Sequence, residues 1–232
     1  RMQLVDLASG KDVTIENIRR FAFAGERGGW VAIAKASASA GGPGAGAAPA
    51  AAAPSAADRP KGSDLILRDL ATGRDFNIGN VAEFAFDKSG RCLALVIDAP
   101  DKAGNGGQLR AMETGVVSVL DSDKASYERL TWTRDGRGLA VLKGTEDKRY
   151  TDKVYAVVGF TGFGAGPTPQ RVAYDPASDK TFPEGMSISP SRSPSWTEDL
   201  AAIVFGIRTL KKSDAKPDTA RPGEAGAEPA AK

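Results

Sequence analysis

Apolar positions in this chain alternate over short runs that are separated by turn residues. In FAFDKSGRCLALVI, which starts at Phe84, Phe84 and Phe86 share one sheet face because strand side chains alternate, and Leu93, Leu95 and Ile97 repeat the pattern beyond the turn. LTWTRDGRGLAVLK from Leu130 and SWTEDLAAIVFGI from Ser195 read as the same hairpin. Ser89-Gly90 and Asp135-Gly136 supply the turns, since glycine tolerates the positive φ that a tight hairpin requires. A two-stranded hairpin is not stable by itself, so these faces must be covered by further strands.

The hairpins are copies. Phe21-Ala22-Phe23 and Phe84-Ala85-Phe86 lie 63 residues apart, Leu130-Thr131-Trp132 follows after 46, and Ser195-Trp196-Thr197 lies 64 beyond Thr131-Trp132-Thr133. A second motif keeps step with the first. LVDLASG at Leu4 returns as LRDLATG at Leu67, again 63 residues on, and more weakly as LRAMETG at Leu109. A unit that cannot bury its own faces is copied and stacked, and a spacing of 46 falls in the range of about 40 to 50 residues expected for a four-stranded propeller blade.

In strand order, one unit reads IRRFAFA, WVAIAKA, DLILRDL and RDFNIGN; the next VAEFAFD, CLALVID, QLRAMET and VVSVLDS; the third YERLTWT, GLAVLKG, KVYAVVG and PQRVAYD. QLVDLAS and KDVTIEN precede them, and PSWTED and AAIVFGI follow. The fold class is therefore all-β: a partial β-propeller of about three complete four-stranded antiparallel blades plus two half blades, forming an open arc. Both ends read as cut within a blade, which marks the chain as a fragment and predicts exposed apolar side chains at the arc's ends, Leu4, Leu7, Ile203 and Phe205 among them.

Four segments result. Residues 1–36 hold the end of one blade and the start of the next, and residues 63–210 hold the blades. Residues 37–62 are Ala, Gly, Pro and Ser with almost no bulky side chain, and residues 211–232 have the same character with charges of both signs, so both are expected to be disordered. Both occupy the connection between strands two and three of a blade. The shorter loops Asp98 to Gly107 and Gly144 to Asp152 fill the same slot, so one face carries the variable loops.

Charge adds no partner to this picture. Lys plus Arg number 31 against 29 for Asp plus Glu, a net charge of +2 with no long run of one sign, so no nucleic-acid or membrane partner is expected. No run approaches the roughly 18 apolar residues needed to cross a bilayer, and Arg1-Met2-Gln3-Leu4 lacks the apolar core of a signal peptide. Cys92 is the single cysteine, so the chain cannot form an internal disulfide and the redox compartment stays open.

The search for chemistry yields no catalytic, cofactor-binding or metal residue. The chain has no histidine, which removes the usual general base and the commonest zinc ligand together. No Gly-x-Ser-x-Gly elbow occurs, and Ser191, Ser193 and Ser195 read as the lead-in to a strand. Gly42, Gly44 and Gly46, and Gly162, Gly164 and Gly166, lack the third glycine at the spacing of a nucleotide-binding loop and read as flexible loops. Asp121, Asp123 and Glu128 invite a calcium site, but no glycine stands at the sixth position, and they read as turn residues between blades. Cys92 lies in an apolar strand and reads as an inert thiol. Trp132 and Trp196 take equivalent places in their units and read as packing between neighbouring blades.

LRDLATGRDFNIGNVAEFAFDKSGRCLALVID (67–98), LTWTRDGRGLAVLKGTEDK (130–148) and PSWTEDLAAIVFGI (194–207) resemble propeller repeats of bacterial S9 peptidases, the prolyl oligopeptidase family, and the resemblance covers most of residues 2–210. TolB-like and other WD40-like propellers share the same turn and strand signals. In the S9 family a propeller stands over an α/β-hydrolase domain and admits peptides but not folded proteins to the serine nucleophile. The resemblance implies a non-catalytic segment that gates or filters substrate access, inactive alone, whose partners are the missing hydrolase domain, the remaining blades and the parent's peptide substrate. The alternative is a TolB-like or WD40-like propeller serving as a protein-binding scaffold. The chain shows no Glu-Glu pair of the kind some dipeptidyl members use to hold a substrate amino terminus, so no aminodipeptidase specificity carries over. The residues leave the compartment open, and the resemblance favours the periplasm or secretion.

Overall fold

A computed structural model describes residues 1–36, 61–164 and 168–213. Alternating apolar runs bounded by Gly, Asp and Ser become short antiparallel strands. β1 (Met2–Val5) and β2 (Asp12–Ile15) pair as a hairpin. The first blade is β3 (Ile18–Phe23), β4 (Trp30–Lys35), β5 (Ser63–Asp69) and the first half of β6 (Asp75–Phe86). The second blade is the rest of β6 with β7 (Cys92–Ile97), β8 (Gly106–Ala111) and β9 (Val117–Ser122). The third is β10 (Ser126–Trp132), β11 (Gly138–Thr145), β12 (Val154–Thr161) and β13 (Gln170–Tyr174). After a single 3-10 turn at Pro176–Ser178 come β14 (Met186–Ile188), β15 (Ser195–Trp196), β16 (Ile203–Val204) and β17 (Ile207–Thr209). The chain is all-β, an open partial propeller of three four-stranded antiparallel blades with hairpin units on either side.

Two details depart from the sequence reading. RDFNIGN and VAEFAFD are one continuous strand, β6, so the first two blades share a seven-stranded sheet. Asn80, at φ 58°, is the only bend between them, a conformation asparagine tolerates better than most residues, and the pairing register shifts beside it between Val81 and Glu83. The lead strand of the last unit also begins earlier than Pro194. Met186–Ile188 already pairs with Ile207–Thr209, and the strand breaks before resuming at Ser195 because Pro190 and Pro194, which have no N–H to give a ladder, stand between.

The two repeated motifs become two repeated turns. Asp6 and Asp69 each accept the backbone N–H two residues on, at 2.8 and 2.9 Å, and Gly10 and Gly73 follow at φ 70° and 71°. In the third copy Ala111 stands where the aspartate would be, yet Gly115 holds the same shape at φ 74°. In the hairpins, Gly90 and Gly136 sit at φ 70° and 75°.

Blades stack by a size rule legible in their second strands. Leu93, Leu95 and Ile97 of β7 fall in one core with Ala32 and Ala34 of β4. On the opposite face of β7, Ala94 and Val96 share a core with Leu139 and Val141 of β11. Large side chains on one blade thus meet small ones on the blade before it, and buried Phe84 and Phe160 fill the space the small residues leave. The same rule corrects the expectation for the ends. Ile203 and Phe205 pack into a core with Leu142, Tyr155 and Val157 of the third blade, and Leu4 is half-buried. Val204 and Ile207 are the exposed apolar residues of that last unit, while Leu7 is 96% exposed as expected.

The loops joining second to third strands and the links between blades share one face. Lys61 N–H donates to Asp98 Oδ2 (2.8 Å), Lys102 Nζ pairs with Glu146 (2.8 Å), and Ser213 N–H donates to the Arg149 carbonyl (2.9 Å). Neighbouring blades are therefore tied through these loops as well as through their cores. The rest of the two segments expected to be disordered, residues 37–60 and 214–232, lies outside the described residues.

Candidate functional site

The loop face holds the most developed polar ground in the molecule, and alternation places it. On β11, Leu139, Val141 and Lys143 point the same way, toward the second blade, so Lys143 continues an apolar row into the charged end of the blade joint. Its Nζ lies 2.7 Å from Asp123 and 3.3 Å from Asp121. Asp121 also takes Arg171 Nε at 3.0 Å and the Tyr127 hydroxyl at 2.7 Å. A second group stands beside it: Glu128 accepts the Tyr155 hydroxyl and pairs with Lys61 at 3.2 Å, while Lys153 Nζ donates to Ser126 Oγ (3.0 Å).

Each charge here is set by its neighbours. Burial and the Asp121 carboxylate push the Tyr127 hydroxyl well above its ordinary range, and burial with Glu128 does the same to Tyr155, so both stay protonated donors. Burial alone would raise Glu128, but the Tyr155 hydroxyl, Lys61 and Lys153 carry it below the usual carboxylate value. Burial would lower Lys143, yet Asp123 and Asp121 together hold it above its normal value. Glu128 and Lys143 thus keep opposite charges beside two protonated tyrosine hydroxyls, an arrangement that suits holding a shape.

Next to this network a cleft of about 650 Å³ opens between the β11–β12 loop, β13 and the connection that leads to β14. Its lining includes Ala156, Val158 and Ala173 together with Tyr150, Tyr155, Phe182 and Met186. That volume lies within the roughly 300–1,000 Å³ of small-molecule and peptide-side-chain sites.

The residues weighed in the sequence fall as follows. Ser195 opens β15 opposite Val204, and the Ser191 N–H donates to Ser189 Oγ at 3.3 Å. Gly162 and Gly164 turn the chain from β12 toward β13 at φ 74° and 81°, while Gly166, Gly42, Gly44 and Gly46 lie outside the described residues. Asp121 belongs to β9 and Glu128 to β10, so only Asp123 lies in the link between blades; Asp121 binds Lys143 and Arg171 of the third blade, and Glu128 binds Lys61, which leads into β5. Among the described residues no three carboxylates or other ligating groups converge on one point. The Cys92 thiol is pushed up, first by burial and then by Asp87, which favours the unreactive protonated form. Trp132 Nε1 donates to the Ala85 carbonyl and Trp196 Nε1 to the Leu139 carbonyl, both at 3.0 Å and both across a blade joint. Lys143, Arg171, Tyr127 and Tyr155 went unnoticed in the sequence. The one signal that pointed to Lys143 was its place on the large-residue face of an alternating strand.

No family model and no curated protein matches the chain. Solved structures do. TolB from Acinetobacter baumannii is 14% identical over 91% of this chain and 48% of its own, with a TM-score of 0.44. The β-propeller domain of the Trilobed protease from Pyrococcus furiosus is 13% identical over 80% of this chain and 54% of its own, at 0.43. The acylaminoacyl peptidase of Pyrococcus horikoshii is 13% identical over 76% of this chain and 26% of its own, at 0.40. The chain spans about half or less of the length of these structures. The propeller assignment itself rests on the strand pairing and blade stacking described above.

Proposed function

We propose that this chain is a non-catalytic β-propeller segment that filters substrate access in a prolyl-oligopeptidase-like serine peptidase, the nucleophile being supplied by a hydrolase domain of the parent protein. The supporting observation is that the stretches resembling S9 repeats, 67–98 and 130–148, each end in an inner hairpin of a blade, β6–β7 and β10–β11, stacked face to face. The chain's own residues agree with a passive role: no histidine exists to activate a serine, and Cys92 is held protonated. In this reading the parent acts in the periplasm or outside the cell.

A protein-binding scaffold is the second reading, and the cleft beside β13 favours it. Fluorophosphonate labelling of the parent protein separates the two. A gating role requires a labelled serine outside residues 1–232, none within them, and cleavage of short peptides but not of folded proteins. A parent that takes no label and cleaves no peptide overturns the peptidase reading and leaves the scaffold.

A further inference from the structure

We infer that the cleft beside β13 binds an extended peptide segment through a basic side chain. Among the residues lining the cleft, Lys143 is matched by Asp121 and Asp123, Arg171 by Asp121, Arg149 by Asp147 (2.7 Å), and Glu146 by Lys102. Two carboxylates are left over. Asp175 accepts the Ala177 N–H at 2.9 Å and Glu184 has no hydrogen bond, and neither has a cation among the described residues. Lys180, in the same connection, forms no ion pair with either. Both carboxylates are exposed at the rim, where they lend the cleft an excess of negative charge that a cation would satisfy.

The rest of the lining fits the stem of such a side chain and the chain that bears it. Pro176, Pro183, Phe182 and Met186 offer apolar surface for the methylenes of a lysine or arginine, which cover apolar ground while their heads reach outward. Ala156 and Ala173 line the cleft with short side chains that leave room for such a stem. β13 is the outer strand of its sheet, and its outer edge, unpaired among the described residues, presents main-chain donors and acceptors to an extended segment. A peptide satisfies both features, since its backbone meets the edge while one basic side chain reaches Asp175 and Glu184.

The inference holds for a gating segment and for a scaffold alike, because its readout is binding to this chain and not hydrolysis. Capped pentapeptides that differ only in a central Lys, Gln or Glu are titrated into the chain, with backbone amide shifts recorded. The Lys peptide is expected to bind about three- to tenfold tighter than the Glu peptide at low salt, in keeping with one or two exposed ion pairs. Its shifts should centre on β13 and residues 175–186, and its advantage should fade at high salt. Glu184→Gln should remove most of that advantage and leave the melting temperature unchanged, since Glu184 is exposed and unpaired. Equal binding of the three peptides, shifts centred elsewhere, or an undiminished Lys preference in Glu184→Gln would each overturn the site.

Discussion

The third blade is held on its two sides in opposite ways. Toward the second blade, β11 and β12 send out Leu139, Val141, Val158 and Phe160, all buried, against Ala94 and Val96. Toward the last unit the same two strands send out Leu142 and Val157 but also present glycines. A Cβ placed on Gly159 would stand 2.6 Å from both Ile203 Cδ1 and Trp196 Cζ2, and one placed on Gly138 would stand 2.8 Å from Leu200 Cδ2 and 2.9 Å from Trp196 Cδ1. On one side the blade is the knob, and on the other it is the hole.

Emptying the knob gives the largest expected effect. Phe160 is about 1% exposed, so Phe160→Ala leaves a cavity between two rigid sheets and should cost about 3–5 kcal/mol in urea unfolding. A loss under about 1 kcal/mol would mean that the second and third blades close over the gap and that their joint is softer than its packing implies.

Filling the hole tests the other side. Gly159→Ala puts a methyl where Trp196 and Ile203 already stand and should cost about 1–3 kcal/mol, less than the cavity because a single aromatic ring can shift. In a double-mutant cycle with Trp196→Phe, which removes the ring atoms nearest Gly159, part of that loss should be recovered, a coupling of about 0.5 kcal/mol or more. Strict additivity of the two substitutions would place the clash on Ile203 Cδ1, also 2.6 Å from the added Cβ, and not on the ring.

The sequence carried the fold further than the site, for a physical reason. Blade strands are specified locally: alternation in CLALVI and GLAVLK, and glycines at Gly73, Gly90 and Gly136, set strand faces and turns within a few residues of chain. The size rule was visible in the same strings, as Leu-Ala-Leu-Val and Leu-Ala-Val-Leu. The fusion of two strands into β6 was hidden because its junction residue, Asn80 at φ 58°, matches Asn17 at φ 57°, where β2 and β3 stay separate, so the residue at the junction does not distinguish the two cases. The cleft was hidden more deeply. It joins Lys143, Arg171 and Glu184 from three segments, and only the stacking of blades brings Asp121 within 3.0 Å of Arg171, fifty positions away.

Leu200 bears on the same comparison with the smallest expected effect. It occupies the turn position of Gly90 and Gly136 and shares their left-handed backbone, with φ 58° against 70° and 75°. A leucine held there costs roughly 1–2 kcal/mol relative to glycine. The return is its side chain, which closes over Gly138 next to Trp196 and so completes the hole side of the third blade. Leu200→Gly removes both terms and adds glycine's greater freedom in the unfolded chain, roughly 0.5–1 kcal/mol. The three contributions nearly cancel, so unfolding free energy should stay within about 1 kcal/mol of the parent. Gly136→Leu makes the opposite exchange without a glycine to cover: its nearest neighbours, Asp87 Cβ and Lys88 N, stand 3.4 Å away, and it should lose the backbone cost outright. If Leu200→Gly instead loses more than about 2 kcal/mol, the side chain outweighs the strain, and the last unit is held on the third blade by Leu200 as much as by Trp196.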